Sequence, residues 1–275
     1  MPNTRPNLNA DGNDELDDRY VVKSVVRAIK ILEALEDARG DGLNVTEIAR
    51  LVGVSKSTAF STLYTLRAHG LVADKGDGAT RRYRLGLALV RLGQQASVQT
   101  SVADLAQSAL KRLTDETGLS SRVAVLDEGW AVVVGRVDTR NAVRLDLRMG
   151  RQEWPHCTGV GKALLSTLSD DQVREILDRI GMPARTKRTI TDPGHLLTVL
   201  ARARIDGFCI DDEEDAEGIM CISAPVLNLP GAMPCAVSVT GLKADPLLAQ
   251  PRSVGRAVRA AAEQIADLAQ GRPMP

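Results

Sequence analysis

A short polar segment, SKSTAFSTLY at residues 55–64, carries side chains that suit contacts with phosphate and with base edges. Ser55 is placed to cap a helix, and the first turn of that helix then holds Lys56, Ser57 and Thr58. Backbone N–H groups and a lysine in a first turn can meet phosphate, while short hydroxyls can approach base edges. Ser61 and Tyr64 extend the same face. These residue types at this spacing favour double-stranded DNA as a partner.

The elements around this segment follow a helix-turn-helix pattern. The pattern predicts one helix from about Thr46 to Val52, in which Thr46 is both the N-cap and a DNA contact, and a second helix from Ser55 to about His69. Gly53 ends the first helix. Because Ala49 and Gly53 are small, we expect the two helices to cross closely.

Residues 71–85 predict a wing-like hairpin after the second helix. Gly76 and Gly78 lie at its tip, and its return strand carries Arg81, Arg82 and Arg84. Such arginines suit the adjacent DNA backbone or the minor groove. A further helix, capped by Ser24, precedes the pair. The alternative is a small helical bundle whose exposed polar residues only face solvent.

Charge is distributed unevenly along the chain, although 35 basic residues balance 35 acidic ones overall. Residues 1–18 hold 1 Arg and 5 acidic residues, and residues 19–91 hold 13 basic and 7 acidic residues. Residues 92–275 hold 21 basic and 23 acidic residues. A basic segment before a near-neutral remainder is expected when one small domain meets nucleic acid. Aromatic residues make up only 3% of the chain, which disfavours stacking modules for single strands.

The segment HCTGVGKA at residues 156–163 places two glycines where a helix begins. Backbone N–H groups at such a position form an anion site, here at Thr158, Gly159, Val160 and Gly161. Lys162 either adds charge to this site or points to solvent from the first turn. The alternative is a plain tight loop in which glycine only serves the turn.

Single polar side chains on otherwise apolar strands indicate a ligand cavity in the second half of the chain. Cys221 and Ser223 lie two apart and share a strand face, as do Ser238 and Thr240. In the acidic segment DDEED at residues 211–215, we expect most acids to be solvated. One of them at the strand end, Asp211, is placed to accept hydroxyl groups of a ligand.

The order of strands and helices after residue 100 favours an α+β domain over a doubly wound sheet. Strands are expected near residues 122–126, 131–137, 143–147, 208–211, 219–226 and 236–241, with helices between them and a last helix at about 251–270. Residues 218–242 carry no charge, but prolines interrupt them, so two buried strands fit better than a membrane span. Residues 1–20 are predicted to be a disordered acidic tail.

The four cysteines, Cys157, Cys209, Cys221 and Cys235, have no CxxC pair and are expected to be reduced thiols. His156, Cys157 and Cys221 also invite a metal site or a Cys–His nucleophile. No pair of these residues has an established zinc-ligand spacing, so we predict neither a metal nor a catalytic residue, and no cofactor.

In this order the motifs resemble the IclR family of bacterial transcription regulators over nearly the whole chain. The resemblance lies in SVVRAIKILEAL, LNVTEIARLVGVSKSTAFSTLYTLRAHGLV, RRYRLG, HCTGVGKALLS, RTITDP, and GFCIDDEEDAEGIMCISAPV followed by AVSVTG. It implies a winged helix-turn-helix at residues 21–86, a linker helix at 87–100, and an effector-binding domain at 101–271. That domain would have a curved antiparallel sheet resembling the GAF and PAS folds, and the protein would be a homodimer or homotetramer.

The resemblance also implies an effector pocket, with small carboxylates as frequent ligands. Gly159 and Val160 would offer backbone N–H groups, Leu145 would form an apolar wall, and the remaining lining would come from Asp211, Cys221, Ser238 and Thr240. Gly159 stands where alanine is more usual, and Asp215 where an aromatic residue is frequent. The identity of the ligand stays open.

The sequence thus predicts a cytoplasmic transcriptional regulator of a catabolic operon, repressor or activator, that binds operator DNA and a small organic acid and has no enzymatic activity. Two alternatives use the thiols. One is a hydrolase or transferase acting through Cys157 or Cys221 with His156, and the other is a redox or metal sensor on the same scaffold.

Overall fold

The computed structural model describes residues 21–38, 42–99, 102–140, 149–229 and 233–270. The described residues up to Gln99 form one compact unit, and those from Val102 onward form a second. The acidic tail and the strand expected near 143–147 lie outside the described residues. Among the helices that the structure describes, none is long and apolar enough to cross a membrane.

The N-terminal unit has three helices, a two-stranded hairpin and a fourth helix. These are α1 (Lys23–Asp37), α2 (Val45–Val52), α3 (Lys56–Ala68), β1 (Val72–Lys75), β2 (Arg82–Leu85) and α4 (Leu87–Gln99). Its core joins all of the first five elements through Ile31, Leu35, Ile48, Leu63, Leu66, Val72 and Tyr83. The predicted helix-turn-helix and wing are therefore present, with Gly76 and Gly78 in the turn between the strands.

Two of the predicted caps in this unit are wrong. Helix α1 begins at Lys23, and Val22 precedes it without a side-chain cap, so Ser24 lies inside the helix. Helix α2 is capped by Asn44, whose Oδ1 accepts hydrogen bonds from the N–H groups of Thr46 and Glu47. Glu47 Oε2 accepts the Asn44 N–H at 2.7 Å. This reciprocal pair makes Asn44 the better cap, because it satisfies more of the free N–H groups than Thr46 would.

Gly53 ends α2 as predicted, but for a different reason than close packing. Its φ is +73°, a left-handed conformation that glycine adopts without steric cost. A Cβ at this position would meet nothing within 4 Å. Ala49, by contrast, is buried in the unit. Ser55 caps α3 as predicted, since its side chain accepts from the Thr58 N–H at 3.1 Å.

The second unit is an α+β domain built on a six-stranded antiparallel sheet of order β5-β4-β3-β8-β7-β6. The strands are β3 (Ser120–Asp127), β4 (Trp130–Val137), β5 (Gln152–Glu153), β6 (Cys209–Asp212), β7 (Ile219–Val226) and β8 (Cys235–Leu242). The helices are α5 (Val102–Thr117), α6 (Gly159–Leu165), α7 (Asp170–Ile180), α8 (Pro193–Asp206) and α9 (Pro251–Ala269). The predicted fold class is confirmed.

The two faces of this sheet have different chemistry. Helices α5 and α9 cover one face with an apolar core that includes Val123, Ile222 and Val237. Helix α6 covers part of the other face through a smaller apolar cluster containing Val160, Ala163 and Ala236. Alternation along each strand places Arg122 of β3 and the polar side chains of β7 and β8 on this second face.

The revised cap of α2 predicts a difference between two neighbouring substitutions. We expect Asn44→Ala to lower the stability of the N-terminal unit by about 1 kcal/mol, because two N–H groups of α2 lose their acceptor. Thr46→Ala, a matched control on an exposed residue, should change it little. Denaturant unfolding followed by far-UV circular dichroism measures both. An equal or larger loss in Thr46→Ala would contradict the assignment.

Candidate functional site

Helix α3 presents a polar face to solvent and an apolar face to the core. Ala59, Leu63 and Leu66 are buried, as the sequence predicted. The exposed side carries the predicted DNA contacts Ser55, Lys56, Ser57, Ser61 and Tyr64, with Thr58 half-buried beside them. Tyr64 is 61% exposed. Phe60, which is also exposed, adds an apolar group that suits a thymine methyl.

Several hydroxyls on this face bond within the chain. Ser55 Oγ lies 2.9 Å from Ser57 Oγ and 2.8 Å from Thr58 Oγ1. Ser61 Oγ donates to the Ser57 carbonyl at 3.0 Å. These bonds orient the hydroxyl groups on this side of α3.

The wing arginines Arg81 and Arg82 have acidic partners inside the unit. Arg81 Nε lies 3.3 Å from Asp74 Oδ2, and Asp74 also pairs with Arg67. Arg82 donates to the Gly42 carbonyl at 3.1 Å and lies 3.6 Å from Glu47 Oε2. These partially exposed pairs are weak. Both cations are thus oriented by the wing itself, and a phosphate would have to share them with these acids.

The strand register of the second unit brings the predicted effector residues together. Asp211 pairs with Cys221 across β6 and β7, and Cys221 pairs with Thr240 across β7 and β8. Ser223 pairs with Ser238 two residues further along the same two strands. Thr240 Oγ1 donates to Cys221 Sγ at 3.3 Å. All five side chains are buried.

Helix α6 begins directly against this group. A Cβ on Gly159 would lie 2.5 Å from Ser223 Oγ and 2.7 Å from Cys221 Sγ, so only glycine fits without displacement. Thr158 caps the helix and its Oγ1 accepts the Gly161 N–H at 3.2 Å. Among the described residues, the N–H groups of Gly159 and Val160 have no acceptor. Leu145, the predicted apolar wall, lies outside the described residues.

Lys162 does not point to solvent, which was one of its two predicted roles. Its side chain is buried, and Nζ donates to the Ile210 carbonyl at 2.6 Å and to Glu214 Oε1. A lysine on a helix that is buried on every side cannot reach water. It therefore forms an internal ion pair.

The acidic segment at 211–215 is also less solvated than predicted. Asp211 and Glu214 are buried, and the other three acids are half-buried. Asp212 and Glu213 both pair with Arg188 and Lys243, while Asp215 pairs with Arg185. Burial raises the pKa of Asp211 to about 7, against the opposing charge of Lys162.

Arg122, on β3, is a site residue that the sequence analysis missed. It is buried, lies opposite Ser238 on β8, and its Nη2 is 3.7 Å from Cys221 Sγ. Its Nη1 donates to Glu153 Oε1 at 2.7 Å. Burial lowers the pKa of Arg122, but Glu153 and Cys221 outweigh this effect, so the pKa is raised and the guanidinium stays charged. An arginine directly before the apolar run VAVL was the available signal.

Burial disfavours the nucleophilic thiolate form of three of the four cysteines. Burial raises the pKa of Cys157, and raises those of Cys209 and Cys235 to about 12. Cys157 Sγ contacts Asp215 Oδ1 at 3.8 Å, whereas His156 Nε2 bonds to the Pro183 carbonyl. In the described part of the chain, no group of His, Cys, Asp and Glu side chains is arranged to hold a metal.

Both units match known family models. Residues 24–76 match the IclR helix-turn-helix domain, and residues 94–267 match the bacterial transcriptional regulator IclR C-terminal domain. The chain belongs to the IclR family. Its expected identity as a DNA-binding transcriptional regulator of this family is therefore confirmed.

Individual IclR-family relatives agree with this. The HTH-type transcriptional regulator KdgR of Escherichia coli is 35% identical over 222 residues, which cover 80% of this chain and 82% of KdgR. The crystal structure of the Thermotoga maritima IclR is similar with a TM-score of 0.76 at 25% identity, covering 90% of this chain and 98% of that one. An IclR homolog from Microbacterium hydrocarbonoxydans, crystallised with 4-hydroxybenzoate, has the same fold, with a TM-score of 0.75 at 20% identity over 90% of this chain and 99% of its own.

The close approach of α6 to its surroundings predicts that Gly161 tolerates substitution poorly. A Cβ there would lie 2.5 Å from Pro155 Cα and 2.6 Å from its carbonyl oxygen, both backbone atoms. We expect Gly161→Ala to destabilise the C-terminal unit by about 1 to 3 kcal/mol. Gly159→Ala should cost less, because it meets side-chain ends that can rotate. Urea unfolding followed by tryptophan fluorescence, which reports only this unit, measures both stability losses. A smaller loss of stability in Gly161→Ala than in Gly159→Ala would refute the prediction.

The raised pKa of Asp211 predicts a pH-dependent stability. Its folded pKa of about 7 lies above the ordinary 3.8, so the protonated form favours folding and this contribution is lost as pH rises through about 7. As the pH rises from about 5 to about 8, the free energy of unfolding of Asp211→Asn should therefore increase by about 2 to 3 kcal/mol relative to that of the unsubstituted protein. The effect of His156, whose pKa does not depend on Asp211, cancels in this difference. A difference that is constant with pH would show that Asp211 ionises normally.

Proposed function

We propose that the chain is a cytoplasmic regulator of a catabolic operon that binds operator DNA and responds to a small carboxylate effector. The observation that carries the proposal is the group of buried polar side chains on one face of an otherwise apolar sheet. Such a group costs free energy unless a partner satisfies it. In the N-terminal unit, the exposed polar face of α3 supplies the DNA-binding half of the function.

On the DNA side, we assign α3 to the major groove. Lys56 meets phosphate, while Ser57, Ser61 and Tyr64 approach base edges. The supporting contacts come from Thr46 at the start of α2, Ser55 and Thr58 at the cap of α3, and Arg81 and Arg82 on the wing. Support comes from the exposure of this face and from the net positive charge of residues 19–91.

On the effector side, we assign the pocket to the face of the sheet next to α6. The N–H groups of Gly159 and Val160 face the effector carboxylate, and Thr158 and Gly161 set the geometry of the helix start that presents them. The polar lining comes from Asp211, Cys221, Ser223, Ser238 and Thr240. The Microbacterium homolog crystallised with 4-hydroxybenzoate, a small carboxylate, supports this ligand class. A surface concavity of about 500 Å³ along α7 includes none of these residues.

The two functions require a coupling between the units in a homodimer or homotetramer. Two DNA-reading units would then bind an operator of two-fold symmetry, with half-sites spaced by whole helical turns. If the effector weakens operator binding by some factor, the operator must weaken effector binding by the same factor. We assign no catalytic role, because the relatives are regulators and three of the four thiols have raised pKa values.

Binding to the DNA upstream of the chain's own gene, compared with a random duplex of equal length across a salt series, tests the proposal. We expect a preference of about a thousandfold or more. Lys56→Ala should weaken binding to both duplexes and lower the salt slope by about 1. Ser57→Ala and Tyr64→Ala should mainly weaken operator binding, by about 1 to 3 kcal/mol for each good base contact.

The matched control is Lys111→Ala, which removes an exposed cation from α5 in the other unit and should leave both affinities unchanged. Equal losses on the two duplexes for Ser57→Ala and Tyr64→Ala would refute their assignment to base recognition. If neither the upstream DNA nor any genomic fragment were preferred, the regulator itself would be refuted.

A further inference from the structure

Arg122 lies at the centre of an incompletely bonded polar cluster. Its side chain is 5% exposed and that of Glu153 is 16% exposed. Three buried atoms of this cluster have no hydrogen-bond partner among the described residues: Arg122 Nε, Glu153 Oε2 and Ser238 Oγ. Ser238 lies directly opposite Arg122 in the strand register. One short stretch of the sheet therefore has unused donors and an unused acceptor next to a buried cation.

Among the described residues of this unit, the other buried cation is Lys162, and it is more fully bonded. Lys162 Nζ has two oxygen acceptors, and its partner Glu214 leaves only Oε2 without a bond. Arg122, with five N–H donors, bonds to one carboxylate oxygen and contacts one sulfur. Since a buried pair of charges is seldom favourable for stability alone, this unequal bonding needs another explanation.

We propose that Arg122 binds the carboxylate of the effector, and that this carboxylate displaces Glu153 from the guanidinium. The inference rests on the proposed function. A guanidinium presents a planar fork that matches a carboxylate with two parallel hydrogen bonds. Glu153 uses only Nη1 and Nη2 contacts only a sulfur, so an incoming carboxylate that replaces Glu153 and takes both Nη1 and Nη2 completes the fork. Ser238 Oγ, on the neighbouring strand, donates a third hydrogen bond.

The position of Glu153 gives this exchange a structural consequence. Glu153 belongs to β5, which pairs with β4 through two residues only, at the edge of the sheet. The next residue, Trp154, packs against Trp130 with ring centroids 4.8 Å apart, and its carbonyl accepts from Thr158 Oγ1. Release of Glu153 therefore loosens the segment that leads into α6. The chain has only two tryptophans, so intrinsic fluorescence reports on this segment.

Carboxylate binding to the full chain, followed by tryptophan fluorescence, tests the exchange. The probes are acetate and benzoate, and the neutral controls are acetamide and benzamide. In Glu153→Gln the amide keeps the shape of the side chain but no longer competes with charge, so we expect acetate or benzoate to bind at least about tenfold more tightly than in the unsubstituted protein. The amides should not bind.

Arg122→Gln should lose carboxylate binding, but removal of one partner of a buried pair can prevent folding. The double variant Arg122→Gln/Glu153→Gln removes both charges together, and it should fold and bind neither acid. Arg202→Gln is the matched control, because that arginine lies on α8 with an exposed side chain and pairs with Asp206. It should bind the acids as the unsubstituted protein does.

Two outcomes would overturn the inference. One is that neither acid binds Glu153→Gln more tightly than the unsubstituted protein. The other is that the double variant binds the acids as well as Glu153→Gln does. Neither outcome bears on the preference of the unsubstituted protein for its operator. The proposed function would be refuted separately, by the absence of that preference.

Discussion

The arrangement of the C-terminal unit depends on how closely the start of α6 approaches β7. All seven residues of this helix are buried, so its first turn has no water to bond with and must find partners or contacts inside the unit. Gly159 allows contact with Cys221 and Ser223, and Gly161 allows contact with Pro155. This approach brings helix N–H groups, two strands and the acidic segment after β6 into one small volume.

The same burial explains the charges around α6. Lys162 follows Gly161 and has no route to solvent, so Glu214 has to fold back towards it, and Asp211 then accepts the Glu214 N–H at 2.8 Å. Burial is the main cause of the raised pKa of Asp211, and it outweighs the opposing effects of the Lys162 charge and of this bond from the Glu214 N–H. The acidic segment is thus an internal feature of the fold, although its composition alone is typical of a solvated loop.

Local signals were sufficient to predict most of the N-terminal unit. The cap at Ser55, the left-handed Gly53 and the turn glycines of the wing act within a few residues, so the sequence contains the full cause of each. Asn44 was missed because two adequate caps lie two residues apart, and only the reciprocal bond with Glu47 decides between them. For the C-terminal unit, the period of two along β7 and β8 was enough to place Cys221, Ser223, Ser238 and Thr240 on one face.

Long-range pairs were not predictable in this way. Arg122 and Glu153 are 31 residues apart on strands that are not neighbours, and Lys162 and Glu214 are 52 apart. Nothing near either residue indicates its partner, because the strand register and the position of α6 create the pair. A polar residue inside an apolar run still shows that some partner must exist. Where the folded chain supplies that partner only in part, as around Arg122, the missing hydrogen bonds are available to a ligand, and they are the bonds from which effector binding can gain free energy without disturbing the apolar core.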